Sequence, residues 1–228
     1  MTSRVLTIRR DVQAAAKVNA EEFRRTMTER RTLVVNVLSS PGSGKTSLLA
    51  ATTEALLPNF RSAVLVGDIA TDRDAQRLAV HAPAVQLSTG GACHLEYPLI
   101  EQGWQALGAP EIDFLFLENV GNLVCPASHD LGEHLRVLLL STTEGDDKPA
   151  KYPKAFRTSH VLVITKIDLL PYLPFQIDAA VADARSIRGD LDIFTTSVHP
   201  ATGLLPWCEY LVNRRLRMVR GEECRPNR

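Results

Sequence analysis

The feature that most constrains this chain is an apolar run, LVVNVL at 33–38, that leads through a Gly/Ser-rich turn at 39–44 into a helical stretch at 45–57. A short apolar run bounded by turn residues is typical of a strand buried inside a parallel sheet. A strand that leads directly into a helix must share a layered core with it. The start of the chain therefore predicts an α/β fold.

The same alternation continues along the chain. Further strands are predicted at 62–66, 84–87, 112–117, 135–140, 160–164 and 191–195. Helices are predicted at 10–30, 73–81, 98–107, 176–187 and 203–217. The pattern indicates βαβ units and a mostly parallel sheet covered by helices on both faces. We expect an N-terminal helical extension (1–31), one domain (32–217) and a tail (218–228), with residues 144–154 forming a polar loop.

Composition excludes several classes of protein. The 228 residues carry 26 basic and 26 acidic side chains, a balance that argues against nucleic-acid binding driven by charge. No apolar run approaches the ~20 residues of a membrane span, and the N-terminus does not resemble a secretory signal. Four well-separated cysteines suit free thiols or metal ligands better than a disulfide framework. We expect a cytoplasmic protein.

The turn after the first strand, SSPGSGKT at 39–46, is a P-loop by its letters and by its strand–turn–helix context. Backbone N–H groups of such a turn and the positive end of the next helix bind phosphate oxygens. Lys45 can reach the β- and γ-phosphates, and the Thr46 hydroxyl can bind Mg²⁺. Ser39 stands where the general pattern has Gly. The motif predicts a three-layer P-loop NTPase fold. The expected nucleotide-binding residues are Gly42, Ser43, Gly44, Lys45, Thr46 and Ser47.

Two later segments bear on the choice of base. Thr165-Lys166-Ile167-Asp168 follows a predicted strand where GTPases place Asn-Lys-x-Asp. There the Asp carboxylate accepts hydrogen bonds from guanine, and the Lys stem packs over the base. Ser197 lies in a short segment that resembles a second guanine-supporting element. GTP is therefore the expected nucleotide, although Thr165 replaces Asn.

Carboxylates at strand ends beside a P-loop can hold Mg²⁺ or its water molecules. Glu118 ends the predicted strand 112–117, while Asp68 and Asp74 follow the strand 62–66. For Asp72 we favour a helix cap. A segment carrying such acids could change shape with the γ-phosphate.

Cys93, His94 and Cys125 form a second distinctive set. Thiolate and imidazole ligands suit Zn²⁺ or Ni²⁺ rather than Mg²⁺. Spacing alone leaves the question open, because scattered cysteines are usually small buried hydrophobes. His129 is a candidate extra ligand. Cys208 is expected in the core, and Cys224 in the tail.

The ordered motifs SSPGSGKT, GDIATDRDA, STGGACHLE, ENVGNLVCPASHDLGE, STTEGDDKPAKYP and TKIDLLPYL, over about residues 33–215, resemble the HypB family of nickel-insertion GTPases in hydrogenase maturation. The resemblance implies slow GTP hydrolysis, with Lys45, Asp74 and Glu118 at the reacting phosphates. It also implies base binding by Lys166 and Asp168. Cys93, His94 and Cys125 would bind nickel or zinc at the interface of a homodimer promoted by GTP and metal. The implied partners are a nickel-delivery accessory protein and the hydrogenase large-subunit precursor.

The sequence departs from that family at several points. Thr165 stands for the usual Asn, Tyr97-Pro98 replaces small and polar residues, and no cysteine-rich or histidine-rich nickel motif precedes Cys93. The alternatives are a urease-type nickel-insertion GTPase, a P-loop kinase acting on a small molecule, and a non-hydrolysing binder. Against the urease type, this chain lacks the Cys-Pro-His signature of that class, since Ala127 follows Cys125-Pro126. The second leaves TKID unexplained, and the intact Lys45 and Thr46 argue against the third.

Overall fold

A computed structural model describes residues 3–68 and 73–222, with side chains described over 15–67 and 73–222. Seven strands form one sheet. They are β1 (Leu33–Ser39), β2 (Ser62–Asp68), β3 (Ala84–Ser88), β4 (Phe114–Glu118), β5 (Leu135–Ser141), β6 (Val161–Thr165) and β7 (Asp192–Thr195). Every predicted strand is confirmed, with ends shifted by one or two residues.

The sheet has the order β3-β2-β4-β1-β5-β6-β7, and all its neighbouring strands are parallel. Two short strands, β8 (Ser197–Val198) and β9 (Ala201–Thr202), form a separate antiparallel pair. From β1 the chain runs through β2 to β3 at one edge, returns to β4 beside β1, and then continues through β5 and β6 to β7 at the other edge. The carboxyl end of a central strand at such a reversal is where open α/β sheets bind ligands.

Eight α-helices accompany the sheet in the described residues. They are α1 (Ser3–Glu29), α2 (Lys45–Leu56), α3 (Arg73–Leu78), α4 (Tyr97–Ala106), α5 (Lys148–Lys151), α6 (Pro153–Thr158), α7 (Ile177–Ile187) and α8 (Leu204–Val219). Short 3-10 turns span Pro126–Ser128 and Ile167–Tyr172. None of the described helices is both long and apolar enough to cross a bilayer.

Side chains that alternate along the strands build two apolar layers. Val35 and Val37 pack with helices α2, α3 and α8, while Val34 packs with α1 and α4, and Leu38 with α6 and α7. Because successive residues of a strand point to opposite faces, a strand buried on both faces must be apolar throughout. The three-layer α/β fold is thus confirmed.

The predicted polar loop at 144–154 was wrong, because this segment contains α5 and the start of α6. Pro149 and Pro153 each lie in a first helical turn, where the missing N–H costs nothing, so here proline starts helices rather than interrupting them. The side chain of Lys151, at the end of α5, lies 2.5 Å from that of Asp147, one helical turn earlier. Such i,i+4 pairs stabilise short helices.

Candidate nucleotide site and metal centre

The P-loop and the ends of the neighbouring strands enclose a cavity of about 550 Å³ at the carboxyl edge of the sheet. Its lining includes Lys45, Thr46, Asp74 and Glu118, which the sequence predicted, together with Arg77. The carboxyl ends of parallel strands share one edge, so residues far apart in the sequence meet there.

Glycine is required at two positions of the P-loop. Gly42 has a φ of +75° and Gly44 a φ of +90°, a left-handed region that residues with a Cβ rarely adopt. Gly44 also caps α2, whose first residues line the cavity. The N-terminal N–H groups of α2 therefore lie where phosphate oxygens can accept their hydrogen bonds.

Polar side chains inside the cavity are already connected to one another. Lys45 Nζ donates to Ser39 Oγ at 2.9 Å, which gives the unusual Ser39 a role in holding the lysine. Thr46 Oγ1 donates to Glu118 Oε1 at 2.7 Å, and Glu118 is only 3% exposed. A hydroxyl and a carboxylate side by side are the oxygen ligands that Mg²⁺ prefers, so these two residues fit a Mg²⁺ site.

The remaining acids singled out in the sequence are Asp74, Asp68 and Asp72. Asp74 is in the first turn of α3, lines the phosphate cavity and lies 3.8 Å from Arg77. Asp68 is the last residue of β2, and its side chain is outside the described set. Asp72, expected to cap a helix, also lies outside the described residues.

A second cavity of about 220 Å³ adjoins the first and shares Gly44, Ser47 and Lys166 with it. Asp168 and Ser197 both line it, and Ser197 Oγ donates to Asp168 Oδ1 at 2.6 Å. The two residues predicted to recognise the base are thus brought together.

The Thr165-Lys166 pair ties the second cavity to the P-loop. Thr165 Oγ1 donates to the Ser43 carbonyl at 2.7 Å, and Lys166 Nζ donates to the Gly42 carbonyl at 2.7 Å. Thr165 is 5% exposed. The threonine that replaces Asn therefore links the base-side strand to the phosphate loop.

Cys93, His94 and Cys125 converge, with their donor atoms all within 4.8 Å of one another and each residue half-buried. Cys208 is instead in the core, as predicted, where burial raises its pKa to about 11. A hydrogen bond with Cys93 holds the pKa of Cys125 above its ordinary value. Two sulfur donors and an imidazole this close together are a ligand set that suits a soft or borderline metal ion.

His129 also reaches this cluster. Its ring stacks on that of His94 with centroids 3.9 Å apart, and its Nδ1 lies 2.9 Å from the Cys125 carbonyl oxygen. Burial lowers the pKa of His94, and the neighbouring His129 lowers it further. A neutral imidazole is the form that binds metal.

The nucleotide cavity and the cysteine cluster are joined by residues 119–125, which we call the linking loop. Asn119 directly follows Glu118, and its Oδ1 accepts from the Leu95 N–H at 3.2 Å, next to His94. A Cβ placed on Gly121 would lie 2.9 Å from Pro41 Cα in the P-loop, so the two backbones touch.

Sequence reasoning missed four residues of this network: Asn119, Gly121, Arg77 and Glu144. Glu144 Oε1 accepts from Ser43 Oγ at 2.6 Å and so fastens the P-loop from the opposite side. Asn119 had a usable signal, since it is an amide directly after a strand-end acid. The contacts of Gly121, Arg77 and Glu144 depend on how distant segments pack, which spacing does not reveal.

Comparison with known proteins agrees with this geometry. Residues 33–195 match a family model described as the CobW/HypB/UreG nucleotide-binding domain. The chain is 42% identical over 214 residues to the hydrogenase maturation factor HypB of Azotobacter vinelandii, covering 93% of this chain and 71% of that protein. The chain belongs to the HypB family. This membership carries nucleotide hydrolysis as a general activity and favours the maturation-factor interpretation over the kinase alternative.

Solved HypB structures have the same architecture. HypB of Helicobacter pylori, crystallised in complex with nickel, is 35% identical with a TM-score of 0.85, over 89% of this chain and 96% of that one. HypB of Archaeoglobus fulgidus is 33% identical with a TM-score of 0.82, over 89% and 99% of the two chains. The HypB resemblance of the sequence motifs is thus confirmed.

Proposed function

We propose that this chain is a GTP-dependent nickel carrier of hydrogenase maturation. It binds GTP with Mg²⁺, hydrolyses it slowly, and uses the change in the phosphate cavity to alter the affinity of Cys93, His94 and Cys125 for Ni²⁺ or Zn²⁺. The observation that carries the proposal is the linking loop. It begins beside Glu118, contacts the P-loop at Gly121 and ends at Cys125.

Guanine is supported by the second cavity. The Asp168 carboxylate, oriented by Ser197, offers acceptors for the N1–H and N2–H₂ donors of guanine, which adenine lacks. Lys166 places its stem along the same cavity while its ammonium holds the P-loop carbonyl of Gly42.

Hydrolysis is assigned to the first cavity. Lys45 binds the β- and γ-phosphates, and Asp74 lies where it can orient a water molecule or an Mg²⁺ ligand. Thr46 and Glu118 would hold Mg²⁺, which would neutralise charge at the phosphates. Thr46 could keep its hydrogen bond to Glu118 while its oxygen lone pair faces the ion, and Asn119, the first residue of the linking loop, directly follows Glu118. Slow turnover is usual for switches of this kind.

Metal binding by one chain is incomplete. Three ligands leave the fourth position of a tetrahedral ion open to water or to another chain. We propose that two copies meet at this cluster when GTP and metal are bound. Delivery then involves a nickel-carrying accessory protein and the hydrogenase precursor, which the hydrogenase maturation role of the relatives supports. Nickel is the favoured cargo, since the similar Helicobacter pylori protein is described in complex with it.

The test is a set of metal titrations. Ni²⁺ and Zn²⁺ are titrated into the wild type with GDP and with a non-hydrolysable GTP analogue. The affinity should differ between the two nucleotides, and by linkage the metal should change nucleotide affinity by the same factor. Cys125→Ala should weaken metal binding and remove the difference. Cys208→Ala, which loses a core thiol, is the control. Equal affinities in both nucleotide states would refute the carrier mechanism.

A phosphate-release assay addresses the alternatives. GTP should release phosphate without an added acceptor, and ATP should be a poor substrate. Transfer of phosphate to a small metabolite would instead favour the kinase interpretation.

A further inference from the structure

We propose a second metal position in each chain, formed by His94, Glu96 and His129 beside the sulfur-donor position. One donor atom from each of these residues lies within 4.8 Å of the others. The position shares His94 with the Cys93–His94–Cys125 cluster, so its use in transfer rests on the proposed function, while its existence does not.

The two nitrogens of His94 face different neighbours. Nδ1 is 3.8 Å from Cys93 Sγ, and Nε2 is 3.4 Å from Glu96 Oε1. An imidazole carries its nitrogens on separate edges of the ring. A neutral ring carries one lone pair, so His94 can serve the sulfur position through Nδ1 or the second position through Nε2, one at a time.

His94 Nε2 is enclosed by protein, and its contact with Glu96 Oε1, at 3.4 Å, is too long for a well-formed hydrogen bond. A buried polar atom left in that state costs free energy. The charged group in contact with that nitrogen is the carboxylate of Glu96, whose side chain is 60% exposed. A divalent cation between His94 and Glu96 would satisfy the nitrogen and bind a carboxylate that is already in place.

The tautomer of His129 suits the same role. A carbonyl oxygen only accepts, so the 2.9 Å contact with the Cys125 carbonyl places the proton of His129 on Nδ1. Nε2 then carries the lone pair. A histidine whose other N–H donates to a backbone carbonyl is the usual arrangement of a metal ligand.

The stacked rings have a consequence for binding. Their planes are 25° apart, and a ligated metal lies in the plane of each imidazole. His129 must therefore turn out of the stack to join His94 on one ion. Metal binding should be visible as a change in the environment of both histidine rings.

Two imidazoles and a carboxylate suit borderline divalent ions such as Ni²⁺, Co²⁺ or Zn²⁺ rather than Mg²⁺. The neighbouring position adds two sulfur donors and is softer. An ion that leaves the cysteines can pass to this harder position, where His94 offers its other nitrogen together with Glu96 and His129. The second position is thus an exit step that avoids releasing the ion directly into water.

Co²⁺ is the probe, because thiolate ligation gives sulfur-to-metal charge-transfer absorption that nitrogen and oxygen ligands do not. In the Cys93→Ala/Cys125→Ala variant, one Co²⁺ per chain should still bind, without that absorption. Adding His129→Phe, which keeps an aromatic ring for the stack, should lower the association constant at least about tenfold. His81→Phe on the same background is the matched control. Nucleotide binding confirms that each variant is folded.

Two outcomes would overturn the proposal: no Co²⁺ bound to the double cysteine variant, or equal Co²⁺ affinity with and without His129→Phe. Failure of the carrier mechanism gives a different result. If the carrier mechanism fails, the wild type binds metal with the same affinity in the presence of GDP and of the GTP analogue, and this result does not depend on the effect of His129→Phe.

Discussion

Thr165 shows how one side chain can replace another through a shared contact. It stands where related GTPases use Asn, and its hydroxyl donates to the Ser43 carbonyl of the P-loop. The sequence suggested that a polar contact was in doubt at this position. The structure places a short, buried hydrogen bond there, so the link between base strand and phosphate loop is kept.

Thr165→Val tests that link with little change of shape. The Ser43 carbonyl loses its donor, and an unsatisfied buried acceptor costs about 1–3 kcal/mol. We expect GTP and GDP to bind about tenfold more weakly by calorimetry. Thr165→Ser, which keeps the hydroxyl, is the control and should bind as the wild type does. A valine variant with unchanged affinity would show that the contact has no role in nucleotide binding.

Asp168→Asn tests the choice of base. Its amide can donate to the C2 carbonyl of xanthine but repels the N–H donors of guanine. GTP affinity should fall by more than tenfold, and xanthosine triphosphate should become the better ligand in a competition assay. Ser197 can still contact the amide, so folding is preserved. Unchanged preference for GTP would contradict the guanine assignment.

At the scale of elements, the linking loop is the feature that unites the two sites. Asn119 fixes its start, through bonds to the N–H groups of Leu95 and Val120. Gly121 then passes against Pro41 of the P-loop. A movement of the P-loop on phosphate binding is therefore transmitted to the segment that carries Cys125.

Gly121→Ala should disturb both sites at once. The added methyl group would lie 2.9 Å from backbone atoms of Pro41, a distance that forces one of the loops to move. Nucleotide and Ni²⁺ affinities should both fall, and their coupling should shrink, in titrations of each ligand with and without the other. Val124→Ala, which alters an exposed residue of the same loop, should change neither. Loss of one affinity alone would argue against a mechanical link.

Much of this element-level order could be predicted from the sequence. All seven strands of the large sheet were found because each is a short run that must be apolar on both faces. Cys93, His94 and Cys125 were identified as candidates, but their convergence was not derivable from spacing. The segment 144–154 was misassigned because its prolines were taken as breaks. The contact of Gly121 with Pro41 has no sequence signal, since it depends on the packing of two loops.

At the scale of the whole molecule, stability should depend on pH through two histidines, the buried His134 and the half-buried His160. Burial lowers the pKa of His134 to about 4, with Arg24 acting in the same direction. Burial likewise lowers the pKa of His160 to about 4, with Arg188 as the next cause. Both rings accept backbone N–H bonds, His134 from Val34 and His160 from Arg136.

Stability should therefore fall as the protein is acidified. An unfolded histidine takes up a proton near pH 6.5, whereas these folded ones resist until about pH 4. The unfolded state binds more protons over that interval, so the free energy of unfolding decreases from pH 6.5 to pH 4, by on the order of 3 kcal/mol per histidine. Urea unfolding across this range measures it. His160→Asn keeps an acceptor for Arg136 and should flatten the slope, whereas a slope equal to that of the wild type would contradict the assignment. His199→Asn, at an exposed site, is the control.

Gly121 of the linking loop also has an evolutionary consequence. Gly121 has no side chain, and its backbone lies directly against the phosphate-binding turn. Selection acting on this residue therefore cannot adjust cargo handling and nucleotide turnover separately. Lineages that abandoned metal transport but kept hydrolysis should therefore still carry glycine at this position, because any side chain there would press on the phosphate-binding turn.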